Sequence, residues 1–128
     1  MPIAAVPVAL VDDDPPVRRA LARLLASAGF AVTTFDSAEA FLDGVAEASP
    51  ACVVLDVHLP RMSGLDLARL LRSVGSPAPV ILLTADHELA RSERVAQSGT
   101  PCLTKPCDGQ TLIDSIRHVL SAPLTAAR

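Results

Sequence analysis

Tryptophan and tyrosine are absent from the 128 residues, and phenylalanine occurs three times. The chain therefore has almost no rings on which nucleobases could stack. Positive charge is not in excess either: the formal net charge is −3, which offers no basic face to a phosphate backbone. Direct binding to nucleic acid is not expected. No apolar run approaches the length of a membrane span, and residues 1–10 lack the charged start and long apolar centre of a signal peptide. A cytoplasmic location is the expectation. The three cysteines, Cys52, Cys102 and Cys107, form no CxxC pair, which gives little support to a metal or redox role. Cys52 and Cys102 sit in apolar runs, where a reduced thiol behaves as a small hydrophobe.

What is present is apolar sequence. Half of the residues are hydrophobic, so the chain is not disordered, and its length suits one domain with a sizeable core. Several apolar runs end in chemistry. Cys52-Val-Val-Leu55 runs into Asp56, Val8-Ala-Leu-Val11 into Asp12-Asp13-Asp14, Val80-Ile-Leu-Leu83 into Thr84, and Cys102-Leu-Thr104 into Lys105-Pro106. Short continuous apolar runs of this kind are buried parallel strands.

Helical patterns lie between them. The first strand covers about 6–11. A helix follows, with Asp14 as its N-cap, Pro15 in its first turn, Val17, Ala20, Leu21, Leu24, Leu25 and Ala28 on the inner side, and Arg18, Arg19 and Arg23 facing outward; Gly29 ends it. The second strand is 31–35, and Ser37 caps a helix carrying Phe41, Leu42 and Val45. The third strand is 51–57. Ser63, with Asp66 three residues on, opens a helix whose apolar residues are Leu67, Leu70, Leu71 and Val74. After the fourth strand comes a weakly amphipathic helix over 88–98, then a short fifth strand. Asp108 caps a last helix bearing Leu112, Ile113, Ile116, Val119 and Leu120. Residues 1–121 form one domain, and 122–128 read as a tail or cut linker.

Five βα units imply a parallel sheet with helices on both faces. Ligands of such sheets bind beyond the carboxyl ends of the strands, where Asp12, Asp13, Asp56, Thr84 and Lys105 converge. Each has an ordinary explanation alone: an Asp run favours a helix N-terminus, and a Lys-Pro pair makes a turn. Four strand ends carrying such groups together are harder to dismiss. Clustered carboxylates repel, and a hard divalent cation such as Mg²⁺, with its preference for oxygen ligands, relieves this. Mg²⁺ attracts phosphate, Lys105 adds a second positive centre, and the Thr84 hydroxyl can donate to a phosphoryl oxygen. Asp56, alone at the centre of the sheet, is then the nucleophile.

These residues resemble the receiver domain of bacterial two-component response regulators. The resemblance runs from Val8 to about Leu120 and rests on Val11-Asp-Asp-Asp14, Leu55-Asp-Val-His-Leu-Pro60, Met62-Ser-Gly64, Leu83-Thr-Ala85 and Thr104-Lys-Pro106. It implies a flavodoxin-like (βα)₅ sandwich, as in chemotaxis regulators, with strand order 2-1-3-4-5. It also implies that Asp56 accepts phosphoryl from a histidine kinase or phosphotransfer protein. Mg²⁺ would be held by Asp13, Asp56 and the His58 carbonyl, with Asp12 acting mainly through water. Thr84 and Lys105 would hold the phosphoryl oxygens, and Lys105-Pro106 would be cis. The output would be protein contact through the face built from the 88–98 helix, the fifth strand and the last helix. Such a switch is not a conventional enzyme, although it catalyses its own phosphorylation and dephosphorylation.

The chain departs from that family in places. The usual aromatic switch position, three residues before the lysine, is Cys102, whose smaller volume would transmit less movement. The loop before the fifth strand is one residue short and contains Pro101, and Cys107 replaces an aromatic. His58 and Asp86 occupy the positions that tune hydrolysis of the acyl phosphate, while His87 and His118 read as surface residues. Around 52–64 the wording is similar to regulators of nitrogen fixation and nitrate response. Two other readings compete. A degenerate receiver acting as an interaction module would have lost one of Asp12, Asp13, Asp56, Thr84 or Lys105. An aspartyl phosphatase would need an acid where His58 stands. A flavin-binding sheet is a weaker rival, lacking a hydroxyl-rich phosphate loop and a ring to stack on flavin.

Overall fold

The computed structural model describes residues 5–121; the expected tail, 122–128, lies outside the described residues. Five parallel strands form the sheet: β1 (Pro7–Val11), β2 (Ala31–Phe35), β3 (Cys52–Asp56), β4 (Val80–Thr84) and β5 (Cys102–Thr104), in the order β2-β1-β3-β4-β5. Among the described residues, α1 (Pro15–Ser27), α2 (Ala38–Ala48), α3 (Gly64–Ser73), α4 (His87–Ala90) and α5 (Glu93–Ser98) lie between the strands, and α6 (Gly109–Ser121) follows β5. Among the described residues no helix is long and apolar enough to cross a membrane.

Alternation along the strands divides the core in two. Ala9, Val11, Val53, Leu55 and Leu82 face Phe41 of α2 and Leu65, Leu67 and Leu71 of α3. Val8, Leu10, Cys52, Val54, Ile81 and Leu83 face Leu25 of α1 and Leu112, Ile113 and Ile116 of α6. β3 is buried at every position, as a central strand covered on both faces must be.

Ser37 and Ser63 cap α2 and α3 as expected, accepting from the N–H groups of Ala40 (3.0 Å) and Asp66 (3.1 Å). Four details of the sequence reading need correction. Asp14 occupies the N-cap of α1 but its side chain makes no capping bond; prolines 15 and 16 carry no N–H, so the usual donors are reduced to that of Val17. Arg18 does not simply face outward: its Nη1 donates to the backbone carbonyl of Asp12 at 2.8 Å. Leu70 of α3 and Val74 just past its end are exposed, and Leu65 and Ala68 take their place in the core. The helix expected over 88–98 is broken in two. Ser92 causes the break: its Oγ donates to the Leu89 carbonyl at 2.7 Å and accepts from the Val95 N–H at 3.3 Å, so local side-chain bonds end one helix and start the next.

The cysteines behave as packing residues. Burial pushes the Cys52 thiol up to about 12, and burial likewise raises those of Cys102 and Cys107. A raised pKa means less thiolate at any given pH, and the thiolate is what alkylates. In folded protein, iodoacetamide should therefore leave Cys52 unmodified, and Cys102 and Cys107 should react only at a pH above that needed for a free thiol. Peptide mapping after labelling across pH 7 to 10 checks this; early labelling of Cys52 would contradict the packing.

Candidate functional site

The sheet ends bring together the residues that the sequence nominated. β3 pairs with β1 on one side and β4 on the other, with Val11 opposite Leu55 and Asp56 opposite Leu83. Asp12, Asp56 and Thr84 thus emerge at the same carboxyl edge. Asp12 and Thr84 are fully buried and Asp56 is 7 % exposed, while Asp13 is exposed. Oxygens of Asp12, Asp13 and Asp56 all lie within 4.8 Å of one another.

Lys105 closes this cluster. Its Nζ stands 3.0 Å from Asp12 Oδ2 and 3.4 Å from Asp56 Oδ2. The lysine is carried there by the turn after β5, where Lys105-Pro106 is cis and the Lys105 N–H donates to the Thr84 carbonyl at 2.7 Å. Burial alone would lower its pKa, but the hydrogen bond to Asp12 and the charges of Asp56 and Asp12 outweigh burial and hold the ammonium above its ordinary value. Asp56 is raised in turn. Burial is the largest cause, and it exceeds the lowering by Lys105 and by the His58 N–H, which donates to Asp56 Oδ1 at 3.1 Å.

Thr84 Oγ1 accepts from the Asp86 N–H at 3.0 Å, so its own proton is free to be donated elsewhere. Asp86 uses Oδ1 to cap α4, accepting from the Leu89 N–H at 3.0 Å. His58, His87 and His118 are exposed. Cys102 is half-buried and packs against the α2–α3 side of the core. A shallow, open recess bordered by Ala90, Ser92, Val95 and Thr100 lies beside it.

Three further residues shape the site beyond those nominated as site residues. Gly64 is the first. A Cβ there would fall 2.1 Å from the carbonyl oxygen of Asp56 and 3.0 Å from Cα of Val57, so only glycine lets α3 start this close to the end of β3. Glu39 is the second. It braces the β3–α3 loop from α2, with Oε2 accepting from the Met62 N–H at 3.4 Å and Oε1 3.5 Å from Arg61 Nη2. Arg18 is the third, through its bond to the Asp12 carbonyl. Gly64 stood in a recognised motif; no sequence signal identified the side-chain bonds of Glu39 or Arg18.

The donor set suits Mg²⁺. It is made of oxygens, and oxygens on opposite sides of an octahedral Mg²⁺ stand about 4 Å apart, which donors already gathered this closely can meet while leaving places for water. Asp12 accepts at Oδ1 from the Asp14 N–H (2.9 Å) and at Oδ2 from Lys105 (3.0 Å), much as Asp56 accepts at Oδ1 from the His58 N–H (3.1 Å) and has Oδ2 3.4 Å from Lys105.

The response regulator receiver domain model matches residues 8–117. The chain belongs to this family, whose members bind Mg²⁺ in an acidic pocket and are not conventional enzymes. Among its relatives, the response regulator protein TmoT of Ectopseudomonas mendocina is 37 % identical over 112 residues, covering 87 % of this chain and 51 % of TmoT. The transcriptional regulatory protein FixJ of Azorhizobium caulinodans is 38 % identical over 117 residues, covering 91 % and 56 %. The chain thus spans about half the length of the curated relatives it matches. The crystal structure of FixJ-N superposes with a TM-score of 0.82 at 30 % identity, covering 97 % of this chain and 98 % of that one.

Proposed function

We propose that this receiver domain, comprising residues 1–121, is a phosphorylation-driven switch in the cytoplasm, with Asp56 as phosphoacceptor. The observation that carries the reading is Lys105 reaching both Asp12 and Asp56 while three aspartates converge beside it. Asp13, Asp56 and the His58 carbonyl would hold Mg²⁺, which when bound supplies positive charge to the phosphoryl oxygens and relieves repulsion among the carboxylates.

The donor is a phosphohistidine on a sensor kinase or phosphotransfer protein. An Asp56 carboxylate oxygen attacks phosphorus, an O–P bond forms as the P–N bond breaks, and the imidazole leaves with the electron pair and takes up a proton. Lys105 balances charge on the transferring group, and the Thr84 hydroxyl donates to one of its oxygens. That capture draws on the hydroxyl to which the Asp86 N–H, at the start of α4, is bonded. The face made by α4, α5, β5 and α6 would carry the change to an effector domain or a separate protein. His58, Asp86, Cys102 and Pro106 would set lifetime and amplitude. An interaction module that is never phosphorylated has less support, because none of the five key side chains is lost.

Intact mass after incubation with acetyl phosphate tests this. The wild type should gain one phosphoryl group in Mg²⁺ and none in EDTA, and Asp56→Asn should gain none. Equal phosphorylation of the variant would refute Asp56 as acceptor.

A further inference from the structure

Arg18 has no part in the chemistry above, yet it reaches the aspartate cluster, through backbone rather than carboxylate. Its Nη1 donates to the Asp12 carbonyl at 2.8 Å, while its own N–H donates to the Asp14 carbonyl at 2.8 Å. The second is the first backbone bond of α1, which any residue but proline would make at this position; the side chain itself holds the turn on the Asp12 side of Asp13. Asp12 is held at three atoms, its carbonyl by Arg18, Oδ1 by the Asp14 N–H and Oδ2 by Lys105. The Asp12 N–H is tied to the Phe35 carbonyl at 3.1 Å. Asp13, exposed, has none of these restraints on its carboxylate; its direction follows from the backbone that Arg18 and its neighbours clamp.

We infer that Arg18 is a positioning residue for the Mg²⁺ site, fixing the β1–α1 turn so that the Asp13 carboxylate meets that of Asp56. The inference rests on the Mg²⁺-dependent reading of the site. Electrostatics and positioning pull in opposite directions here, which makes the role measurable. As a bare charge, Arg18 repels a cation, and its removal would tighten Mg²⁺ binding. As a clamp, it orients a ligand, and loss of such an outer partner weakens metal binding by about tenfold.

Arg19 is the natural control: it sits on the same turn of α1, carries the same charge, and is exposed. Calorimetric titration of MgCl₂ into metal-free protein should give Arg18→Ala about tenfold weaker binding and Arg19→Ala binding close to wild type. Arg18→Lys, which keeps a donor on a long stem, should recover part of the loss. Without metal, hydrogen exchange at the Asp14 amide should quicken in Arg18→Ala and not in Arg19→Ala. Binding by Arg18→Ala as tight as wild type, or tighter, overturns the inference and leaves the phosphorylation reading standing. Failure of the wild type itself to bind Mg²⁺ overturns that reading; the exchange rate at Asp14 then still shows whether Arg18 clamps the turn.

Discussion

Gly64→Ala should lower stability by about 3 kcal/mol or more, at the severe end of single substitutions. The added methyl would sit 2.1 Å from the Asp56 carbonyl oxygen and 2.8 Å from its carbonyl carbon. Both are backbone atoms of the central strand, so neither can swing aside. The Gly64 N–H also donates to the Val57 carbonyl at 2.9 Å, and any retreat of α3 from β3 strains that bond. Relief would have to come from moving the β3–α3 loop, which carries the His58 carbonyl. The variant should therefore melt roughly 10 °C or more lower, followed by circular dichroism, and should also gain less from added Mg²⁺. Gly44→Ala makes a useful contrast. Its Cβ would meet the Phe35 ring at 2.8 Å, a side chain that can shift, so a smaller loss is expected. A Gly64→Ala protein melting like wild type would mean that the approach of α3 to β3 is not held as described.

Lys105→Ala should be the second severe change, and its signature is a response to Mg²⁺. The lysine stands within 3.0 Å of one carboxylate and 3.4 Å of another, whose side chains are 0 % and 10 % exposed. Removing it leaves two buried carboxylates without their cation, a loss of about 3 kcal/mol for a pair of this burial. Asp56 would then titrate higher still, since Lys105 opposes the upward push of burial. Mg²⁺ restores positive charge to the cluster, so the melting temperature of the variant should rise more with Mg²⁺ than that of wild type. Adding Asp56→Asn should recover much of the lost stability without metal. The pH dependence has a definite sign. Because the folded pKa of Lys105 is raised, its contribution is complete below the lysine's unfolded value and fades as pH rises through the folded one. Melts of wild type against Lys105→Ala at pH 7 and pH 11 should show the gap narrowing. A variant as stable as wild type, with no added response to Mg²⁺, would contradict the pairing.

The sequence was most informative where a single strand decides both packing and chemistry. A continuous apolar run such as 52–55 ending in Asp56 names a central parallel strand and its functional tip together. Four such runs, together with the 31–35 segment, mark the strands, and the motif set supplies their order. The serine caps were equally legible, because Ser37 and Ser63 act on N–H groups three residues away. Legibility failed where long-range or competing bonds intervene. Ser92 breaks a helix by bonding its neighbours' backbone, which periodicity does not register. Asp14 stands at a cap position whose donors the following prolines remove. Leu70 and Val74 keep apolar spacing yet lie outside the arc that faces the sheet. Arg18 and Glu39 look like surface charges in sequence, and only the fold brings their side chains to the loops around the site.

The central claim concerns one carboxylate, and chemical trapping reads it directly. An acyl phosphate is reduced by borohydride to the alcohol, whereas a free carboxylate is not, so a phosphorylated aspartate becomes homoserine. Wild-type protein treated with acetyl phosphate and Mg²⁺, reduced, digested and sequenced by mass spectrometry should carry homoserine at position 56 and retain aspartate at 12 and 13. Homoserine at 12 or 13 instead, or a phosphoryl adduct that leaves position 56 unreduced, would contradict Asp56 as the acceptor.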